Sequence, residues 1–281
     1  MAHDYDSYRR DLWRDKAAAY QDSFAGLCAH PVDLLLDSLA VSSGTTVLDV
    51  GCGTGTLTSA SVARGADVTA VDAEPSMVAA TAARVPSART SLAALPRLPF
   101  HPGAFDAVAA NFVVNHVARP APAVAELARV TRRSGRVGVT VWPQPAPPLQ
   151  RLWDDVIEAA GVIRPPMPGL APEDDFPRTR DGLADLLEQG GLTGVESWTV
   201  EWEHRTDPGR WWAAAASGLA GIGYVISLQD AATVRRMKDC YDELVRPHLD
   251  GNGRLCLPTA ALLATGRPTD PEGGTRDGAE L

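Results

Sequence analysis

The chain has 281 residues, 45% of them hydrophobic, enough to bury the core of one large α/β domain or of one domain with a substantial insert. Its 26 Lys and Arg stand against 35 Asp and Glu, a formal charge of −9 with a pI near 5.1. Such a surface repels phosphate backbones and anionic headgroups, so nucleic acid is excluded as a partner. Cys28, Cys52, Cys240 and Cys256 form no CxxC and no zinc-type pairing with histidine, which reads as a reduced, cytoplasmic chain without a metal site.

The first sixteen residues are too polar for a secretion signal. Trp13, Ala17, Tyr20, Phe24 and Leu27 then share one face at helical spacing, and Pro31 opens a second helix striped by Val32, Leu35, Leu36 and Leu39. Residues 1–40 are thus expected to form an N-terminal helical lid. From there strand and helix alternate, with strands over 46–50, 67–71, 105–111 and 136–142 and helices from about 55, from Pro75 and around 123–130. That alternation requires crossover connections and a parallel sheet covered on both faces, over a core of residues 41–142.

After Trp142 nine of the 22 prolines fall between Pro143 and Pro177, interrupted by a helix striped with Leu149, Leu152, Trp153, Val156 and Ile157. A helix over 181–189, a strand near 194–203, a helix carrying Val234, Met237, Tyr241, Leu244 and Val245, and a strand over 255–266 follow. Residues 143–266 read as an acceptor-binding insert with closing strands, and 267–281 as a disordered tail. The stretch 211–228 has no charge over 18 positions, the length of a membrane span. Its three glycines and two serines predict a buried helix or a lid over an apolar pocket, and no membrane contact.

The run VLDVGCGTG places Gly51, Gly53 and Gly55 directly after the first strand, where glycine lets the backbone turn sharply and approach a ligand. Asp72 ends the second strand, 21 residues past Gly51, where a carboxylate can accept both hydroxyls of a ribose. Asp49 at the turn opposes a pyrophosphate but suits a nucleoside carrying positive charge. S-adenosyl-L-methionine has that composition.

Together VLDVGCGTG, VDAEPSM, LPF at 98–100, FDAVAANFVVNHV and ELARVTRRSGRV resemble the class I S-adenosylmethionine-dependent methyltransferases, in the small-molecule branch of ubiquinone, menaquinone and antibiotic-tailoring enzymes. The resemblance implies a Rossmann-like, doubly wound α/β fold whose mostly parallel sheet has an antiparallel last strand, with N-terminal helices and a helical insert over the active site. It implies that Gly51, Cys52, Gly53 and Gly55 border the methionine arm, that Asp49 supports it, and that Asp72 takes the ribose. Ala73 and Met77 would pack on the adenine, Tyr20 would fold down toward the cofactor, and Asn111 and Phe112 would sit at the ligand edge of the sheet. The acid usual after the third strand is absent, since residues 87–105 hold no acid or amide, so adenine recognition falls to the backbone of Leu92, Ala93 and Ala94.

If the reaction uses a base, His116 is the best placed of the six histidines. Asn115, Trp142, Trp211, Trp212 and Tyr224 are candidates for an apolar or aromatic acceptor pocket. Residues 143–190 carry nine acids and four arginines, which disfavours a polyanionic acceptor. The expectation is a monomeric or homodimeric methyltransferase acting on a small molecule in secondary metabolism, at oxygen before nitrogen or carbon, both of which stay open. Two alternatives stand at this point: a protein of this fold that uses the cofactor as a scaffold without methylating, and a nicotinamide-dependent oxidoreductase.

Overall fold

The computed structural model describes residues 2–269. Four short helices come first: α1 (Ala2–Asp11), α2 (Ala17–Gln21), α3 (Phe24–Ala29) and α4 (Val32–Ser38). Then strand and helix alternate through β1 (Thr46–Val50), α5 (Thr56–Ala63), β2 (Asp67–Asp72), α6 (Pro75–Arg84), β3 (Arg89–Leu92), β4 (Phe105–Asn111), α7 (Pro120–Val130) and β5 (Thr131–Val141). The rest comprises α8 (Pro148–Ala159), α9 (Arg180–Gln189), β6 (Leu192–Thr206), α10 (Pro208–Ala216), α11 (Ala220–Ser227), α12 (Ala231–Val245) and β7 (Leu255–Pro268).

All seven strands join one sheet in the order β3-β2-β1-β4-β5-β7-β6. β1 to β5 pair in parallel, and β7 lies antiparallel between β5 and β6. The last two strands therefore extend the sheet that residues 41–142 begin. β1 and β4 are fully covered, because successive residues face opposite layers. Val47, Ala107 and Ala109 pack with Leu35, Leu36 and Leu57 beneath α4 and α5. Leu48, Val108 and Ala110 pack with Leu127, Leu183 and Leu187 beneath α7 and α9. A third cluster joins α8, α10, α11 and α12 around Trp153, Trp211, Met237 and Tyr241.

The structure departs from the sequence-based expectations at the ends. The polar first residues form α1, and the stripe from Trp13 to Leu27 is broken by Ser23, whose hydroxyl donates to the Ala19 carbonyl at 2.6 Å, into α2 and α3. Residues 211–228 form two helices with Gly218 at a φ of +85° between them. No helix among the described residues is long and apolar enough to cross a membrane. β7 runs on to Pro268, into the segment expected to be disordered, and the rest of that expectation, from residue 270, lies outside the described residues.

Gly138 shows how closely the helices approach the sheet, since a Cβ there would lie 2.6 Å from Cδ1 of Leu35 and 3.1 Å from Cδ2 of Leu39. Gly138→Ala is expected to lower the unfolding free energy by about 1–3 kcal/mol through overpacking. Gly26→Ala, at an exposed position of helix α3 with open space around it, should instead raise it by about 0.4–1 kcal/mol. Equilibrium urea unfolding distinguishes the two; equal effects would mean that α4 does not press on β5.

Candidate active site

The turn after β1 carries Gly51, Gly53 and Gly55 at φ of +70°, +54° and +83°, the left-handed region that glycine enters without strain. A Cβ on Gly51 would lie 2.4 Å from Cγ2 of Val113, so no side chain fits between the turn and the segment after β4. Two carboxylates fix this turn. Asp72, at the end of β2, accepts the Gly53 N–H through Oδ2 and the Glu74 N–H through Oδ1, each at 2.9 Å. Asp49 lies beneath the turn, almost fully buried, and accepts the Thr58 hydroxyl at 2.6 Å. Burial, with the charge of Asp72 adding to it, pushes the Asp49 carboxyl up to about 7. Burial likewise raises Asp72 to about 6, although its backbone partners pull the other way.

Above the turn a cavity of about 420 Å³ runs from Gly51, Gly53 and Asp72 to Trp153 and Trp211. Tyr20, Ala73, Met77, Ala93, Ala94, Asn111 and Phe112 line it as expected from sequence, as do Asn115, Trp142 and His116. Asp49, Cys52, Gly55 and Leu92 do not line it. Asp49, Cys52 and Gly55 lie behind the turn, where the Cys52 thiol and a Cβ on Gly55 would both meet Thr81. Leu92 is exposed at the sheet edge and contributes backbone pairing to Asp72. Trp212 and Tyr224 are likewise off the wall. Trp212 packs on Tyr241 at 5.3 Å inside the lid, because its neighbour Trp211 takes the inward direction of α10, and Tyr224 meets Tyr8 edge-on at 5.6 Å.

Several wall residues escaped the sequence reading. Arg9 and Trp13 come from α1 and the turn after it, and Phe24, Gln150 and Trp153 from helices whose apolar stripes read as core. The Ala93–Leu98 loop is held from outside by Glu126, which accepts the Leu98 N–H at 2.6 Å, and by Arg129, which donates to the Leu98 and Phe100 carbonyls. Phe112 has a φ of +58° and stacks on Trp142 with ring centres 3.9 Å apart, a strained backbone held by packing.

The Arg9 guanidinium contacts Nδ1 of His116. Arginine has only donors, so Nδ1 is the acceptor and the neutral ring carries its hydrogen on Nε2. Burial and the adjacent guanidinium hold the imidazolium form far below the usual histidine range. In this arrangement His116 is a hydrogen-bond donor with its basic nitrogen already engaged, which opposes the expected role as base.

A glycine turn and a ribose-type carboxylate at the switch between β1 and β4 of a doubly wound sheet define a nucleoside-binding α/β protein. Residues 48–139 match the model of a methyltransferase domain. An uncharacterized methyltransferase of Mycobacterium tuberculosis is 30% identical over 262 residues, 92% of this chain and 98% of its own. A demethylmenaquinone methyltransferase of Beutenbergia cavernae is 36% identical over 169 residues, 57% of this chain and 70% of its own. The fold matches the phosphoethanolamine N-methyltransferase 2 of Haemonchus contortus, solved with phosphomonomethylethanolamine and S-adenosylhomocysteine, at a TM-score of 0.53 and 14% identity over 93% of this chain and 60% of that one. The chain belongs to the S-adenosylmethionine-dependent methyltransferases, which removes the nicotinamide-dependent reading.

The residues present fit S-adenosylmethionine. Each Asp72 oxygen spends one lone pair on a backbone N–H, leaving acceptor capacity for ribose hydroxyls. The glycine positions leave a cradle no Cβ can enter, and Asp49 puts negative charge behind it. Hydroxyl donors and a nearby cation both favour the ionised carboxylates, so binding should lower their pKa and release protons. Affinity for S-adenosylhomocysteine is therefore expected to rise as pH increases through about 6 to 7, the raised values of Asp72 and Asp49, and to level off above. Calorimetry in buffers of different ionisation enthalpy measures the release; proton uptake on binding would contradict the assignment.

Proposed function

We propose that the enzyme transfers a methyl group to an oxygen of a small, aromatic, oxygen-bearing molecule of the kind secondary metabolism produces. The observation that supports this reading is the far end of the cavity, where Phe24, Trp142, Trp153 and Trp211 form an aromatic wall. Trp211 stacks on Phe24 at 4.9 Å and lies 6.4 Å from Trp153, while Trp153 stacks on Tyr241 at 5.4 Å. Flat apolar walls select a flat apolar body. Gln150, whose Oε1 accepts the Thr259 hydroxyl at 3.0 Å, lines the same cavity with Asn115 and His116, and these polar side chains suit an oxygen-bearing ligand.

S-adenosylmethionine, when bound, supplies an electrophilic methyl, so the chain's task is to hold and orient. Asp72 would hold the ribose, Gly51 and Gly53 the amino-acid arm, and Ala73, Met77 and the Ala93–Ala94 backbone the adenine. Tyr20, against Gly53, would close the turn. The aromatic wall excludes water, which strengthens the few polar contacts inside. His116 would donate through Nε2 to an acceptor oxygen and orient it, with Asn115 beside it on the wall. Residues 1–40 and 143–266 would act together as the lid and acceptor side of the 41–142 core.

Incubation with methyl-labelled cofactor and a panel of hydroxylated aromatic compounds is expected to give methoxy products. Asp72→Ala should weaken S-adenosylhomocysteine at least tenfold, about 1.4 kcal/mol. Tight cofactor binding with no label transferred to any compound would favour the scaffold role instead. On an accepted substrate, His116→Gln, which keeps a donor, should lower kcat by less than about tenfold, whereas loss of a general base removes about 10²–10⁴. A drop of that larger size would restore His116 as the base.

A further inference from the structure

Arg9 is a partly buried cation on the cavity wall. Arg9 reaches His116 through one guanidinium nitrogen, and its Nε is buried with no hydrogen-bond partner. No carboxylate among the described residues pairs with it: Asp6, on the same helix, accepts the Ala118 N–H at 2.7 Å, and Asp154 is paired with Arg164. The Tyr5 ring, 5.9 Å away, gives a weak cation–π contact. The partner that arginine does have, His116, stays neutral and cannot balance its charge. A guanidinium partly withdrawn from water without an anion is unfavourable, and a bound oxyanion relieves it while meeting its planar donors.

We propose that Arg9, with His116 beside it, seats an oxyanion of the acceptor, so that the preferred acceptor is an aromatic acid. This rests on the methyltransferase reading of the cavity and narrows its substrate class. The other source of such a group is the carboxylate of the cofactor's own amino-acid arm. The order of the rings favours the acceptor. Tyr20 covers Gly53, Trp13 meets Tyr20 at 5.9 Å, and His116 meets the other side of the series at 5.4 Å from Trp13. Arg9 lies beyond His116 in that series, with the three rings of Tyr20, Trp13 and His116 between it and Gly53.

The test uses the full chain saturated with S-adenosylhomocysteine and two probes of one shape, 2-naphthoate and its uncharged amide, followed by tryptophan fluorescence and calorimetry. Naphthoate should bind at least tenfold tighter than the amide. Arg9→Met should abolish that preference, Arg9→Lys should keep part of it, and both should bind S-adenosylhomocysteine within twofold of the parent, with melting curves confirming that they fold. Equal binding of the two probes, or binding of neither, overturns the proposal. So does an Arg9→Met protein that binds S-adenosylhomocysteine tenfold more weakly but 5′-methylthioadenosine as before, since the guanidinium then serves the cofactor's carboxylate. Failure of the parent to bind S-adenosylhomocysteine at all would instead remove the methyltransferase reading of the cavity.

Discussion

The arrangement on which the site depends is the Asp49 carboxylate seated at the first turn of α5, accepting the Thr58 hydroxyl at 2.6 Å. A helix N-terminus after a glycine turn is an anion site, because its first N–H groups have no partners within the helix. Here a buried carboxylate of the protein takes that place, and Asp72 takes the Gly53 N–H that could also have met a phosphate. The donors that would cradle a pyrophosphate are spent before a ligand arrives. What remains is a turn with negative charge behind it and free acceptor capacity on Asp72. Burial raises both carboxyls, and a cationic nucleoside beside them favours their ionised forms.

Much of this was legible in the sequence, for definite reasons. Strands β1, β2, β4 and β5 are apolar runs bounded by glycine, proline or acid, and their strict alternation with helices left few topologies. The glycines and Asp72 announced themselves because each needs a residue type that nothing else at that position explains. The aromatic wall was harder, because helical spacing shows which residues are turned inward and not whether they meet core or cavity. Trp211 and Trp212 are neighbours on α10 and both are buried, yet only Trp211 reaches the cavity. Leu149 and Trp153 sit in the stripe of α8 that reads as core, and both also line the cavity. Arg9 left no signal, since a polar helix that covers a cavity has the composition of one that faces water.

The lid is assembled from both halves of the chain. Tyr8 on α1 meets Tyr224 on α11, and Lys16 donates to the carbonyl of Ser217 at the end of α10. Phe24 on α3 stacks on Trp211 of α10. Asn111, at the end of β4, donates to the Cys28 carbonyl at 3.0 Å and accepts the Thr140 hydroxyl at 2.6 Å, tying α3 to the sheet. The contacts nearer the chain start are single and partly exposed, each worth on the order of 1 kcal/mol. Those nearer the sheet are buried and shared.

The hydrogen bonds of the cavity wall have a direction. Where α1 meets the segment after β4 the groups are donors: the Arg9 guanidinium and the Nε2–H of His116 that follows from its contact with Arg9. The Oδ1 of Asn115 is the one unpaired buried acceptor among these wall residues. An acceptor seated against these donors, as proposed, brings lone pairs. An oxygen has more than one, and a donor that occupies one lone pair fixes the direction of another. For a reaction whose difficulty lies in aiming a nucleophile, fixing that direction in a water-poor cavity does more than removing a proton. On the proposed reading, the contact that engages Nδ1 of His116 leaves its Nε2–H for that task.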